Sequence, residues 1–147
     1  MTEWHAHVTV ATVVEDAGRF LMVEERADGE RVINQPAGHL DPGETLVEAA
    51  VRETLEETAW LVEITSLVGI GLYTAPNGIT YHRTTFAGRP LHEEPGRTLD
   101  TDIERTLWLS YTDLQDRTEQ LRSPLVIEAV EQYLQGPLVP LAFIYHP

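Results

Sequence analysis

The stretch Gly38-His-Leu-Asp-Pro-Gly-Glu44-Thr-Leu-Val-Glu-Ala-Ala-Val-Arg52-Glu53-Thr-Leu-Glu56-Glu57-Thr-Ala-Trp60 decides how this chain is read. Thr45 and Glu48 stand at the T-x-x-E spacing of a capping box, in which each residue satisfies the other's free backbone N–H. Behind them Val47, Val51 and Leu55 recur every four residues, flanked by Leu46 and Ala50, so one helical face is apolar. The spacing predicts a helix over residues 46–58. Six acids fall between Asp41 and Glu57, and Glu53, Glu56 and Glu57 lie at i, i+3 and i+4 on one face. Like charges so placed cost about 0.2–0.5 kcal/mol per pair in an isolated helix. They also crowd the helix C-terminus, where the macrodipole disfavours anions. Such a trio calls for a compensating cation. Arg52 supplies one charge, pairing with Glu48 or Glu56 on a solvated face. A divalent ion supplies more, and hard oxygen donors suit Mg²⁺ or Mn²⁺. On spacing alone both readings stand.

Working outward, Val8, Val10, Thr12 and Val14 alternate with His7, Thr9, Ala11 and Val13 as a strand buried on both faces. Asp16-Ala17-Gly18 turns it into a second strand, Arg19 to Glu25, and Asp28-Gly29 makes a hairpin-type turn. Val32-Ile33 is a short extended piece. Asn34 to Gly43, with two Pro and two Gly, reads as loop. Beyond the helix, Leu61 to Ile70 is β-prone, and Asn77-Gly78 joins strands near Leu72–Thr74 and Ile79–Ala87. Arg89 to Asp102 is expected as a mobile loop, and Thr106 to Leu109 as the last strand. Ser110 and Asp113 cap a short helix. Ser123 with Pro124 at N1 opens a helix carrying Ile127, Val130 and Leu134, which stops at Gly136-Pro137. These elements predict one domain over residues 1–147, a mixed β-sheet between helices of the α+β or α/β sandwich class.

Composition narrows the chemistry. Among 147 residues, 24 Asp+Glu face 10 Lys+Arg, giving a net charge of −14, and every cation is an arginine. Without lysine there is no Walker A loop, Schiff-base amine or basic localisation tract. Without cysteine there is no disulfide, thiolate nucleophile, Fe–S cluster or Cys-type zinc site. So acidic a surface repels nucleic-acid backbones and anionic lipid, so no nucleic-acid or membrane partner is expected. No apolar run approaches membrane-spanning length, and Met-Thr-Glu-Trp-His lacks the features of a secretory leader. The expectation is a cytoplasmic enzyme or binding domain.

Gly38, Glu44, Arg52, Glu53, Glu56 and Glu57 keep the spacing G-x5-E-x7-R-E-x2-E-E. This resembles the Nudix box, G-x5-E-x7-R-E-U-x-E-E-x-G-U, with U aliphatic. Thr54, Ala59 and Trp60 depart from it at positions without chemistry. Ala59 replaces the glycine after the helix, and a Cβ disfavours the left-handed exit, so a differently shaped helix end is expected. Gln35 to Leu40, Ala75-Pro76, Arg83 and Leu121 to Val126 resemble a bacterial phosphatase type of the family, which acts on thiamine pyrophosphate, its hydroxymethylpyrimidine precursor and nucleoside di- and triphosphates.

The resemblance implies a hydrolase of diphosphates that uses Mg²⁺, with Mn²⁺ as substitute, on a small-molecule substrate, as monomer or homodimer. It implies Glu53, Glu56 and Glu57 as metal ligands, joined by the Ala37 carbonyl beside Gly38. Arg52 is expected to pair with Glu44 and orient the carboxylates, or to contact phosphate directly. The general base is Glu53, or Asp102 or Glu104 ahead of Trp108. Gln35, Arg83 and Tyr73 are the expected substrate contacts, with Tyr81 and Trp4 as further stacking candidates. His39 is placed to approach the substrate or bond locally, and His5 and His7 lack the third ligand of a zinc site. Two other readings are a house-cleaning nucleoside-triphosphate or ADP-ribose pyrophosphatase, and a nucleotide-sensing module without catalysis.

Overall fold

Burial on both sides makes β1 (His7–Asp16) the central strand: Thr9 through Val14 are all buried, as a run that is β-branched except at Ala11 predicts. The computed structural model describes residues 3–147; Met1 and Thr2, part of the amino-terminal stretch read above, lie outside it. β1 turns into β2 (Arg19–Ala27), which pairs antiparallel with β3 (Glu30–Asn34) and with β7 (Ile103–Ser110). On the other side β1 runs parallel to β6 (Thr80–Glu93), and β6 pairs antiparallel with β5 (Trp60–Thr74).

Helices cover both faces. α1 (Leu46–Thr58) covers Val10, Val14, Leu21, Val62, Ile64 and Phe86. On the opposite face α2 (Tyr111–Gln115) and α3 (Pro124–Gln135) cover Val13, Phe20, Met22 and Ile33. This is the sandwich the pattern predicts.

Four expectations need correction. A three-residue strand, β4 (Ala37–His39), lies inside the expected loop and pairs with Thr9–Ala11 of β1. Three residues carry no readable periodicity, and the pairing is fixed from β1. The two pieces expected around Ile70 and Leu72 are one strand, β5. Its glycines break the sequence pattern because α3 leans on them, and a Cβ on Gly71 would meet Leu125 Cδ2 at 2.9 Å. β6 continues to Glu93, into the segment expected to be mobile. The remainder is tied to the end of α1: Glu94 N–H donates to the Ala59 carbonyl at 2.8 Å, and Asp100 N–H to the Glu56 carbonyl at 3.1 Å. β7 also starts earlier, at Ile103.

α1 has the predicted bounds and both capping-box bonds, Glu48 N–H to Thr45 Oγ1 at 3.1 Å and Thr45 N–H to Glu48 Oε1 at 2.9 Å. Its most buried face is not the valine stripe but Ala49, Ala50, Thr54, Glu57 and Thr58. Small residues let α1 approach β1 until Thr54 Oγ1 reaches Thr12 Oγ1 at 3.1 Å, which explains a hydroxyl where the box has an aliphatic. Ala59 takes the left-handed conformation itself (φ 64°, ψ 9°) and donates its N–H to Leu55. The helix therefore ends as a glycine would end it, with the steric cost retained. Ala59→Gly relieves about 1–2 kcal/mol of that cost and adds about 0.5–1 kcal/mol of chain entropy. The expected net stabilisation is about 0.5 kcal/mol or slightly more, read as a higher urea midpoint at unchanged slope.

Candidate active site

Loop and helix meet first through backbone. Thr12 N–H donates to the Pro36 carbonyl at 3.1 Å, and β4 fixes Ala37 and Gly38 against β1. The buried side of α1 then brings Glu57 under this loop, where its Oε1 accepts the Ala37 N–H at 2.8 Å. Gly38 lies against Glu53 so closely that a Cβ there would overlap the Glu53 carboxylate. The glycine of the motif is thus a steric requirement of the glutamate fifteen positions on.

Arg52 fans across the acids. Its Nε and Nη2 fork onto Glu44 at 2.9 and 2.6 Å, Nη1 reaches Glu53 at 2.8 Å and Glu56 at 3.2 Å, and Nη2 also donates to the His39 carbonyl at 3.1 Å. Bidentate pairing of this kind fixes direction as well as charge. Glu48, the other partner considered, is occupied by the helix cap. Glu44 is held below its ordinary carboxylate range by its bond to Arg52.

One arginine does not balance the cluster. Carboxylate oxygens of Glu53, Glu56 and Asp100 lie within 4.8 Å of one another. Burial pushes Glu53 up despite Arg52. Glu57 is raised to about 9, first by burial and then by Glu25, Glu53 and Asp100, against the opposing Ala37 N–H bond. A set made only of hard oxygens, with more negative charge than its arginine offsets, fits a divalent cation such as Mg²⁺ or Mn²⁺.

Glu53 and Glu57 border a cleft of about 940 Å³ also lined by Ala37, Gly38, His39, Tyr73, Tyr81, Arg83 and Asp102. Of the residues picked from sequence, Gln35, Glu104 and Trp4 do not line it, nor do Arg52, Glu44 and Glu56. Gln35 is 1% exposed and both ends of its amide are engaged, with Nε2 donating to the Val126 carbonyl at 2.6 Å and Oε1 accepting from Arg83 at 2.9 Å. It braces Arg83 and does not line the cleft. Glu104 points away from the cleft on β7, held by Arg26 and Arg31 at 2.7 and 2.6 Å. Trp4 is 73% exposed and does not line the cleft. His7 Nδ1 and His39 Nε2 sit 3.2 Å apart beside Tyr81, so His39 does bond locally while facing the cleft. Sequence reasoning missed Asp100, Glu25, Asn34 and Arg122. Asp100 belongs to a loop that only the fold carries to α1, and Glu25 read as the end of a strand.

The sequence profile of the NUDIX domain matches residues 4–129, and the chain belongs to the Nudix family, a hydrolase of diphosphate bonds. The phosphatase NudJ of Escherichia coli K12 is 41% identical over 138 residues, covering 94% of this chain and 90% of that protein, and NudJ of Shigella sonnei matches equally. A NUDIX hydrolase from Nitrosomonas europaea superposes with a TM-score of 0.93 at 40% identity, over 97% of this chain and 98% of the other. A MutT NUDIX hydrolase from Burkholderia pseudomallei, 22% identical with a TM-score of 0.75, shares the fold. Among the described residues no helix is long and apolar enough to cross a membrane.

The raised Glu57 value carries a sign. Its carboxyl binds a proton more tightly folded than unfolded, so its contribution is complete below the ordinary 4.5 and is lost as pH climbs through about 9. In EDTA the melting temperature should fall across that window. Added Mg²⁺ should restore it, with the largest gain at the alkaline end, measured by scanning calorimetry.

Proposed function

We propose that this chain is a Mg²⁺-dependent phosphohydrolase that cleaves the diphosphate of thiamine-type pyrophosphates or of nucleoside di- and triphosphates. The observation that carries the reading is the buried acidic face of α1, which opens on one side of a cleft large enough for a diphosphate and an organic ring. The similarity to NudJ phosphatases over 94% of the chain supports the same reading. Mn²⁺ is the expected substitute metal. One domain acting as monomer or homodimer in the cytoplasm, on a small-molecule substrate, completes the proposal.

Glu53, Glu56 and Glu57 would hold the cation with the Ala37 carbonyl, and Asp100 adds a carboxylate within reach of Glu53 and Glu56. When bound, the cation supplies Lewis acidity, neutralising phosphate charge and making an adjacent water more acidic. The chain's own residues do the rest. The Ala37 N–H aims one Glu57 oxygen and leaves the other free for a ligand. Arg52 orients Glu44, Glu53 and Glu56 rather than touching substrate, since each of its nitrogens is already engaged. Glu53 and Asp102, which both line the cleft, are the proposed acceptors of the attacking water's proton. Tyr73, with Tyr81 and Pro76, offers an apolar wall for the organic ring.

Glu57→Gln preserves shape and the hydrogen bond to Ala37 while removing the charge. A lost metal contact is worth several kcal/mol, and each 1.36 kcal/mol is tenfold, so kcat should fall by about a thousandfold. The same variant should melt higher than the wild type in EDTA at alkaline pH, because it no longer buries an ionising carboxyl. Phosphate release in Mg²⁺ from thiamine pyrophosphate, hydroxymethylpyrimidine pyrophosphate, GDP and dGTP, with pyrophosphate release from dGTP and AMP release from ADP-ribose followed in parallel, tests the substrate class. Turnover confined to ADP-ribose, or no metal-dependent turnover of any diphosphate, contradicts the proposal.

A further inference from the structure

The cleft is not lined by acids alone. Beside the carboxylates that Glu53 and Glu57 of α1 contribute, the cleft is lined by two arginines, Arg83 and Arg122, near the opening of α3, with Glu25 paired to Arg122 at 3.2 Å. Arg83 is 6% exposed, and its Nε is buried without a partner among the described residues. Only its Nη2 is engaged, donating to Asn34 Oδ1 at 3.1 Å and Gln35 Oε1 at 2.9 Å. A guanidinium has five N–H donors, and burying one with most of them unused is costly unless a ligand completes the set.

The surroundings hold Arg83 rigidly and do not neutralise it fully. Gln35 ties it to the Val126 carbonyl in the first turn of α3. Glu25 is the nearest fixed counter-charge, but its Oε1 is shared by Asn34 Nδ2 and Arg122 Nη1, both at 3.2 Å. Glu57 also faces Arg83, and a cation bound at Glu57 would cancel that attraction. Arg122 is 40% exposed at the rim, anchored through its own N–H to the Ile33 carbonyl at 2.8 Å. Ser123, the N-cap of the 12-residue α3, also lines the cleft. Its Oγ takes the Leu125 N–H and Pro124 has none, so the helix adds the positive end of its dipole rather than free donors.

We propose that Arg83 and Arg122 form an anion subsite for a phosphate group of the substrate, beside the part of the cleft that Glu53 and Glu57 of α1 line. Arg83 is the fixed fork, Arg122 the adaptable rim contact, and Gln35 a positioning residue that acts through Arg83. In a chain of net charge −14, this pairing is what lets a polyanion enter the cleft and lie between the cation held by α1 and the two guanidinium groups. The inference rests on the diphosphate reading above and adds to it where the second phosphate is held.

Arg122→Gln and Arg83→Lys test it in two assays. In the first, inorganic phosphate is added to the protein in EDTA and the melting temperature followed, since a ligand of the folded state raises it. Phosphate should raise the wild-type value, and each substitution should remove most of the rise. In the second, with Mg²⁺ and a diphosphate substrate, KM and the inhibition constant of inorganic phosphate should rise about tenfold in Arg122→Gln while kcat changes by about threefold or less. Arg83→Lys keeps the charge but loses the fork, and should show the larger KM effect. The proposal is overturned if both variants keep wild-type KM and phosphate response, or if phosphate stabilises wild type and both variants equally. If no diphosphate is hydrolysed by the wild type, the functional reading fails, and the thermal assay still decides the subsite by itself.

Discussion

The close approach of the Pro36-Ala37-Gly38 turn to α1 is the constraint from which the site follows. Glu57 can be buried because the Ala37 N–H meets it, and Glu53 can lie beneath the turn because Gly38 has no side chain. Both contacts depend on α1 packing tightly on β1, which Ala49, Ala50 and the Thr54–Thr12 bond allow. A bulkier buried face would lift the helix and with it the carboxylates. The motif therefore specifies packing as much as chemistry.

That packing concentrates negative charge in a place where solvent cannot screen it. Arg52 offsets part of it and orients three of the glutamates. Burial first, and acidic neighbours after it, displace Glu53 and Glu57 upward, so the fully ionised cluster is costly without a cation. Stability is given up locally so that binding can recover it, a common arrangement at functional sites.

Much of this was legible in the sequence because it is local. The capping box and the four-residue repeat set α1 at residues 46–58, and Ser123-Pro124 set the start of α3. The box spacing pointed to the family. What escaped was tertiary. β4 has too few residues to show a period, and the glycines of β5 hid a single long strand, where Gly71 admits Leu125. Asp100 reaches the acidic cluster only through its backbone bond to Glu56. Gln35 was misread as a substrate contact because sequence does not show that Val126 and Arg83 claim its amide. Glu104 does not line the cleft because Arg26 and Arg31 claim its carboxylate, whereas Asp102 lies in the turn ahead of β7 and does line it. Ala59 departs from the motif in composition and not in conformation.

If the acids of α1 exist to hold a cation, binding must displace the proton that burial keeps on Glu57 near neutral pH. Calorimetric titration of Mg²⁺ into the protein at about pH 7.5, in two buffers of different ionisation enthalpy, counts that proton directly. The account predicts saturable binding with about one proton released per protein. Absence of binding, or binding with no proton released, would contradict it.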